Sequence, residues 1–209
     1  MAAPDTRTQL LDAAERLLAE RGYRGTSVRA ITDLAGVNLA AVGYHFGSKA
    51  QLLTAVVRRV IEPITAAQST GLDRLLARTP DPTVAELVEA FAGPLFDELP
   101  PGDEGRARTS RLIMTIISDP AEEMRAWTGP AEGAIRNRYL AAFGGALPSL
   151  SAEELWFRLR GILSVAAVDR VQVDDPCLPD GRSSEVAQQA RRWAITFLAA
   201  AMEAPPTGA

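Results

Sequence analysis

The chain has 209 residues, 47% of them hydrophobic and 6% aromatic, with a formal net charge of −4. That length buries a real core in one domain or two small ones, and the acidic balance excludes a generic nucleic-acid coat. The lone cysteine, Cys177, excludes an internal disulfide and a cysteine-only zinc site.

Ala and Leu are abundant, β-branched runs are short, and no strand alternation is visible, so an all-α chain of about nine helices is expected. The first helix is expected over 6–21. Thr6 and Gln9 form its capping box, Leu10, Leu11, Ala14, Leu17 and Leu18 its apolar stripe, and Gly22 its stop. The second starts at Thr26 or Ser27 and turns Ile31 and Leu34 inward until Gly36 breaks it. Asn38 is the expected N-cap of the third. Ser48 and Gln51 cap a fourth, whose apolar positions run from Leu52 to Ile64 past Pro63, where a kink or division is expected.

Further along, Thr83 and Glu86 cap a helix that is bent or broken near Gly93-Pro94. Residues 100–105 read as a loop and 106–118 as a helix with Leu112, Ile113, Ile116 and Ile117 on its apolar side. Asp119-Pro120 opens a helix carrying Met124, Trp127, Ile135, Tyr139 and Phe143, and Gly144-Gly145 ends it. Ser151 and Glu154 begin a helix reaching about Val173. The last helix covers 184–203, and a disordered tail is expected from Ala204. The N-terminus lacks a signal-peptide core and the longest apolar run, Trp193–Met202, is too short to span a bilayer, so a cytoplasmic protein with no membrane partner is expected.

The stretch 26–52 is the most informative. Two short helices joined at Gly36-Val37 and followed by a third make a hairpin of the size that enters a DNA major groove. The surrounding charge suits that use. Residues 1–60 hold eight Arg/Lys against five Asp/Glu, whereas 61–209 hold fourteen against twenty-one. If Val37, Val42 and Phe46 pack inward, then Asn38, Leu39, Ala40, Ala41 and Tyr44 face out. Small residues let the backbone approach bases closely, Leu39 or Ala41 suits a thymine methyl, and Asn38 suits a base edge or phosphate. Ser27 at a helix start, Tyr44, His45 and the only lysine, Lys49, suit phosphates, and Arg29 suits guanine or the backbone. His45 taken alone reads as a packed or surface histidine.

These residues closely resemble the DNA-binding domain of the TetR family of bacterial transcriptional regulators. The resemblance rests on Ser27-Val28-Arg29, Ala35-Gly36-Val37, and Tyr44-His45-Phe46-Gly47-Ser48-Lys49 with Leu52, and it covers roughly residues 6–60. It implies phosphate contacts from Ser27, Tyr44, His45 and Lys49 and base reading by Arg29 and Asn38–Ala41. Gly43 departs from the family pattern, in which many members have a backbone-contacting tyrosine there. The body, over Arg111–Val168, resembles the PsrA-like branch, some of whose members respond to fatty acids or their acyl thioesters.

The resemblance divides the chain into a DNA-binding head (1–50) and a helical ligand-binding and dimerisation domain (51–209). It implies a ligand-responsive regulator, most readily a repressor, that binds a palindromic double-stranded operator as a homodimer through the last two helices. The alternative is a helical dimer that has lost specific DNA binding. Phe91, Phe96, Met114, Ile117, Trp127 and Tyr139 are the candidate lining of a pocket for a fatty acyl or other apolar effector. The apolar stripes of the last two helices (Leu159, Ile162, Leu163, Ala166 and Ala167; Ala190, Trp193, Ala194, Phe197 and Ala201) suit a dimer interface or a monomer core equally. One histidine, no Glu-x-x-His pairs and no Gly-rich phosphate loop leave an enzyme with no chemistry to use, and no cofactor or metal is expected.

Overall fold

A computed structural model of the chain describes residues 5–97, 103–119, 130–168 and 184–206. These fold into helices alone: α1 (Thr6–Gly25), α2 (Val28–Ala35), α3 (Ala40–Phe46), α4 (Lys49–Arg78), α5 (Val84–Asp97), α6 (Asp103–Ser118), α7 (Pro130–Ala146), α8 (Ala152–Val168) and α9 (Ser184–Glu203). No described helix is long and apolar enough to cross a membrane.

The chain divides into two compact units. The first comprises Met1–Pro63 and Pro100–Gly129; the second comprises Ile64–Leu99 and Pro130–Ala209. The unit containing the helical hairpin is therefore larger than residues 1–50, because it takes in the first half of α4 and all of α6. Its core is built on the stripe expected of α1. Leu10, Leu11, Ala14, Leu17 and Leu18 are buried against Ile31, Val42, Leu52, Leu53, Val56, Val57 and Leu112. Leu34 is a correction: it points outward and is 46% exposed, because α2 meets the core through Ile31, with Val28, Ala30 and Ala35 packed around it.

The caps were the most local signals, and most are met. Thr83 and Glu86 satisfy each other: Thr83 N donates to Oε2 at 2.9 Å, and Glu86 N donates to Oγ1 at 3.3 Å. Ser48 Oγ accepts from Gln51 N at 3.2 Å, and Ser151 Oγ accepts from Glu154 N at 3.2 Å. At α1 the cap is Asp5 rather than Thr6, its carboxylate accepting from Arg7 N at 3.3 Å. Gly22 does interrupt α1, with φ 66 and ψ −177, but a further turn follows to Gly25. α4 is one continuous helix through Pro63, although its side chains change units there. α6 begins at Asp103, inside the segment expected to be a loop.

In the second unit α5 packs on α7, α8 and α9, and α8 packs on α7 and α9. Leu87, Val88, Tyr139, Phe143, Leu159, Ile162, Leu198 and Met202 form its core. Two buried polar groups are satisfied there. Gln68 Nε2 donates to Phe91 O at 2.8 Å, and the Tyr139 hydroxyl donates to Gln68 O at 2.9 Å. Burial pushes the Tyr139 phenol well above its ordinary pKa, outweighing the nearby Arg138 charge. Arg158 closes the end of α9. Its guanidinium donates to the carbonyls of Met202 and Ala204, both at 2.6 Å, and of Pro205 at 3.0 Å, so the first residues after α9 are held rather than loose.

Candidate nucleic-acid interface

The hairpin forms from three local devices. Ser27 caps α2, its Oγ accepting from Ala30 N at 3.1 Å. Gly36 then turns the chain in the left-handed region (φ 67, ψ 32), which costs a residue with a Cβ about 1–2 kcal/mol. Its N–H and that of Val37 close the end of α2 on the carbonyls of Asp33 and Thr32. Asn38 Oδ1 accepts from Ala40 N at 2.8 Å and so opens α3 as expected. Gly47 ends α3 with its N–H shared between Val42 O and Gly43 O, both at 3.1 Å.

On α3 Val42 is buried, and Phe46, with Val37 of the preceding turn, packs partly against the core. Ala41 packs there too, so it lies on the flank of the helix and not on its outer face. Asn38, Leu39, Ala40, Gly43 and Tyr44 are exposed, with Leu39 at 57% and Tyr44 at 86%. A Cβ added to Gly43 would meet nothing within 4 Å. Ser27 and Arg29 are exposed at the start of α2. His45 is half-buried, its ring edge-on to Tyr44 with centroids 4.9 Å apart.

Lys49 also has a partner within the chain. Its Nζ donates to Tyr23 O at 2.8 Å and lies 4.3 Å from the centre of the Tyr23 ring. The ammonium therefore ties the first turn of α4 to the last turn of α1. Three further supports of the head had no local signature. Tyr23 N donates to Asp119 Oδ2 at 2.9 Å, at the end of α6. The Arg7 guanidinium stacks over Phe46, 5.2 Å from its centre, and holds the end of α3. Glu15, 11% exposed in its side chain, is held by Arg59 of α4 and, at 3.3 Å, by Arg108 of α6; Arg59 also reaches Asp12 at 2.7 Å. Burial lowers the Arg59 pKa, but the bonds and charges of Asp12 and Glu15 outweigh it and raise the net value.

Two family models match the chain. Residues 10–56 match "Bacterial regulatory proteins, tetR family", and residues 89–201, more than half the chain, match "Tetracyclin repressor-like, C-terminal domain". The chain belongs to the TetR family. Among curated relatives, it is 41% identical over 58 residues to the HTH-type transcriptional repressor KstR2 of Rhodococcus jostii, a match covering 28% of each chain. It is 42% identical over 55 residues to the HTH-type transcriptional regulator TtgR of Pseudomonas putida, covering 26% of each. The match thus spans about a quarter of those relatives' length. The fold extends further. The solved ketosteroid transcriptional regulator KstR2 of Mycobacterium tuberculosis superposes with a TM-score of 0.57 at 19% identity, covering 94% of this chain and 96% of that one.

Within this TetR-family chain, the residues expected to line a pocket are divided between the units. Phe91 and Tyr139 pack edge to face with ring centroids 4.8 Å apart, and Phe96 lies against the same core. Met114 is a half-buried residue of α6, in the first unit. The Ile117 side chain, Trp127 and Cys177 lie outside the described residues. On the last two helices, Leu159 and Ile162 are spent on the unit's own core. The most exposed apolar side chains there are Trp193 at 64% and Phe197 at 60%, one turn apart on α9, and Phe157 at 75% on α8; Trp156, also exposed on α8, lies under the Arg136 guanidinium. Among the described residues no group of three His, Cys, Asp or Glu is placed to hold a metal ion.

Proposed function

We propose that the protein is a ligand-responsive transcriptional regulator, a repressor that binds a palindromic operator as a homodimer and leaves it when a small apolar or amphipathic molecule binds the body. The observation that carries this reading is the outward face of the α3 segment, where Leu39 and Tyr44 stand exposed beside Asn38, Ala40 and Gly43 while Val42 on the opposite side packs into the core. In this reading Leu39, Ala40 and Arg29 meet base edges, and the Nδ2 group of Asn38 joins them because its Oδ1 is committed to capping. Ser27, Tyr44 and His45 meet phosphates, with Lys49 acting chiefly as a brace. Ala41 supports the helix from its flank.

A single hairpin makes few contacts, and pairing two heads places reading helices about 34–36 Å apart in successive major grooves. Phe157, Trp193 and Phe197 are the surface proposed to pair with a second copy, because three exposed aromatic residues on adjacent helices are costly in a monomer. The effector is proposed to be received by the second unit, around Phe91, Phe96 and Tyr139. The body's PsrA-like wording favours a fatty acyl compound. α4 holds side chains of both units, so one helix is available to carry the change.

The test is selection of bound sites from fragmented genomic DNA, followed by titration of the selected duplex by fluorescence anisotropy at several salt concentrations. A two-fold-symmetric site bound with steep salt dependence is expected. Recovery of no specific site would overturn the reading and leave a helical dimer without DNA specificity.

A further inference from the structure

We infer that this chain reads its DNA site through the 5-methyl groups of thymine, with Leu39 as the main specificity-determining residue. The inference rests on the regulator reading above and says what chemistry its site takes. Four of the exposed positions share one side of α3. Leu39 and Gly43 are four residues apart, as are Ala40 and Tyr44, so they are neighbours on the helix surface. This side offers aliphatic carbon from Leu39 and Ala40, bare backbone at Gly43, and one phenol. The carboxamide on this side, Asn38, has its oxygen engaged by Ala40 N, which holds the group in the capping orientation and disfavours the paired donor and acceptor contact that reads adenine.

In the major groove the thymine methyl is the one base feature that an aliphatic side chain recognises favourably. Leu39 is 57% exposed in the free protein, so covering it with a methyl gains hydrophobic burial at both surfaces. Gly43 favours the same outcome. It sits inside a helix, where it costs about 1 kcal/mol relative to Ala, and nothing in the protein occupies the space a Cβ would take. The missing methyl lets the helix backbone settle closer to the base edges, bringing Leu39 and Ala40 within reach of C5 substituents.

The experiment uses the full-length protein and its selected duplex, with deoxyuridine replacing thymidine one position at a time. Each replacement deletes one methyl and leaves base pairing intact. At one or two thymines per half-site, binding is expected to weaken about fourfold, the value of one buried carbon, and 5-bromodeoxyuridine is expected to restore it. Leu39→Ala is expected to lose the uracil sensitivity while keeping the salt slope, since the phosphate contacts are unchanged. Specific binding that is indifferent to uracil at every thymine, or a site with no thymine in its half-sites, would overturn the inference and leave the regulator reading standing. Absence of any specific site would overturn both.

Discussion

The Lys49 ammonium donates to the carbonyl of Tyr23 at 2.8 Å and rests 4.3 Å from the centre of that residue's ring. One cation thereby satisfies a carbonyl at the end of α1 and gains the face of an aromatic ring. Lys49→Met keeps the aliphatic stem and deletes both interactions. It is expected to destabilise the protein by about 1–2 kcal/mol in urea denaturation. If the brace is its main duty, the slope of log affinity against log salt for operator DNA stays at the wild-type value. A slope lower by about 0.9 per lost contact would instead assign the ammonium to a phosphate.

Glu15 is the second brace, and it joins three helices at once. Glu15→Gln leaves Arg59 with Asp12 alone and Arg108 without its carboxylate. Removing one member of a buried pair is costly, but both guanidiniums here are about a third exposed and are screened in proportion. A loss of about 1–3 kcal/mol is expected. A double-mutant cycle with Arg59→Met checks the assignment, because the two losses should combine to less than their sum.

Much of this was legible beforehand, and the division follows the range of each interaction. Ser27, Asn38, Ser48, Thr83 and Ser151 bond within three residues of themselves, so their caps can be read from a short window of sequence. The core face of α1 repeats at helical spacing and was equally plain. Asp119 lies 96 residues from Tyr23, and nothing near either announces the other. The same holds for α6, whose place beside α1 depends on tertiary packing. The orientation of α3 was read correctly at Val42 and Tyr44 but missed at Ala41. A seven-residue helix has only two turns in which to define a face.

The exposed aromatics of the body give a third prediction. Trp193→Glu with Phe197→Glu replaces the largest uncovered patch of α9 with charge. Sedimentation equilibrium is expected to show the wild-type protein as a dimer and the double variant as a monomer with unchanged helical circular dichroism. Operator affinity should fall with the loss of the second head.

Glu86 provides a pH-dependent term. Its bond from Thr83 N, with the Thr83 hydroxyl and Arg78 assisting, holds its carboxyl below the ordinary value. A group whose folded pKa is depressed contributes stability above its unfolded pKa and loses it as pH falls through the folded one. Thermal melting followed from neutral pH into the acid range should therefore decline less steeply for Glu86→Gln than for wild type. Identical acid limbs would show that the capping box is not part of the decline.

Gly43 is also an opening for redesign. It is the one site on the outward side of α3 where a side chain can be installed with no neighbour to displace. Most positions that touch a target also touch the fold, so changing what a protein recognises usually costs some of its stability. Here the two demands are uncoupled. An Asn, Gln or Arg library at residue 43 adds hydrogen-bonding letters to a face that has almost none, and every member is expected to melt at or above the wild-type temperature because each is a better helix former than glycine.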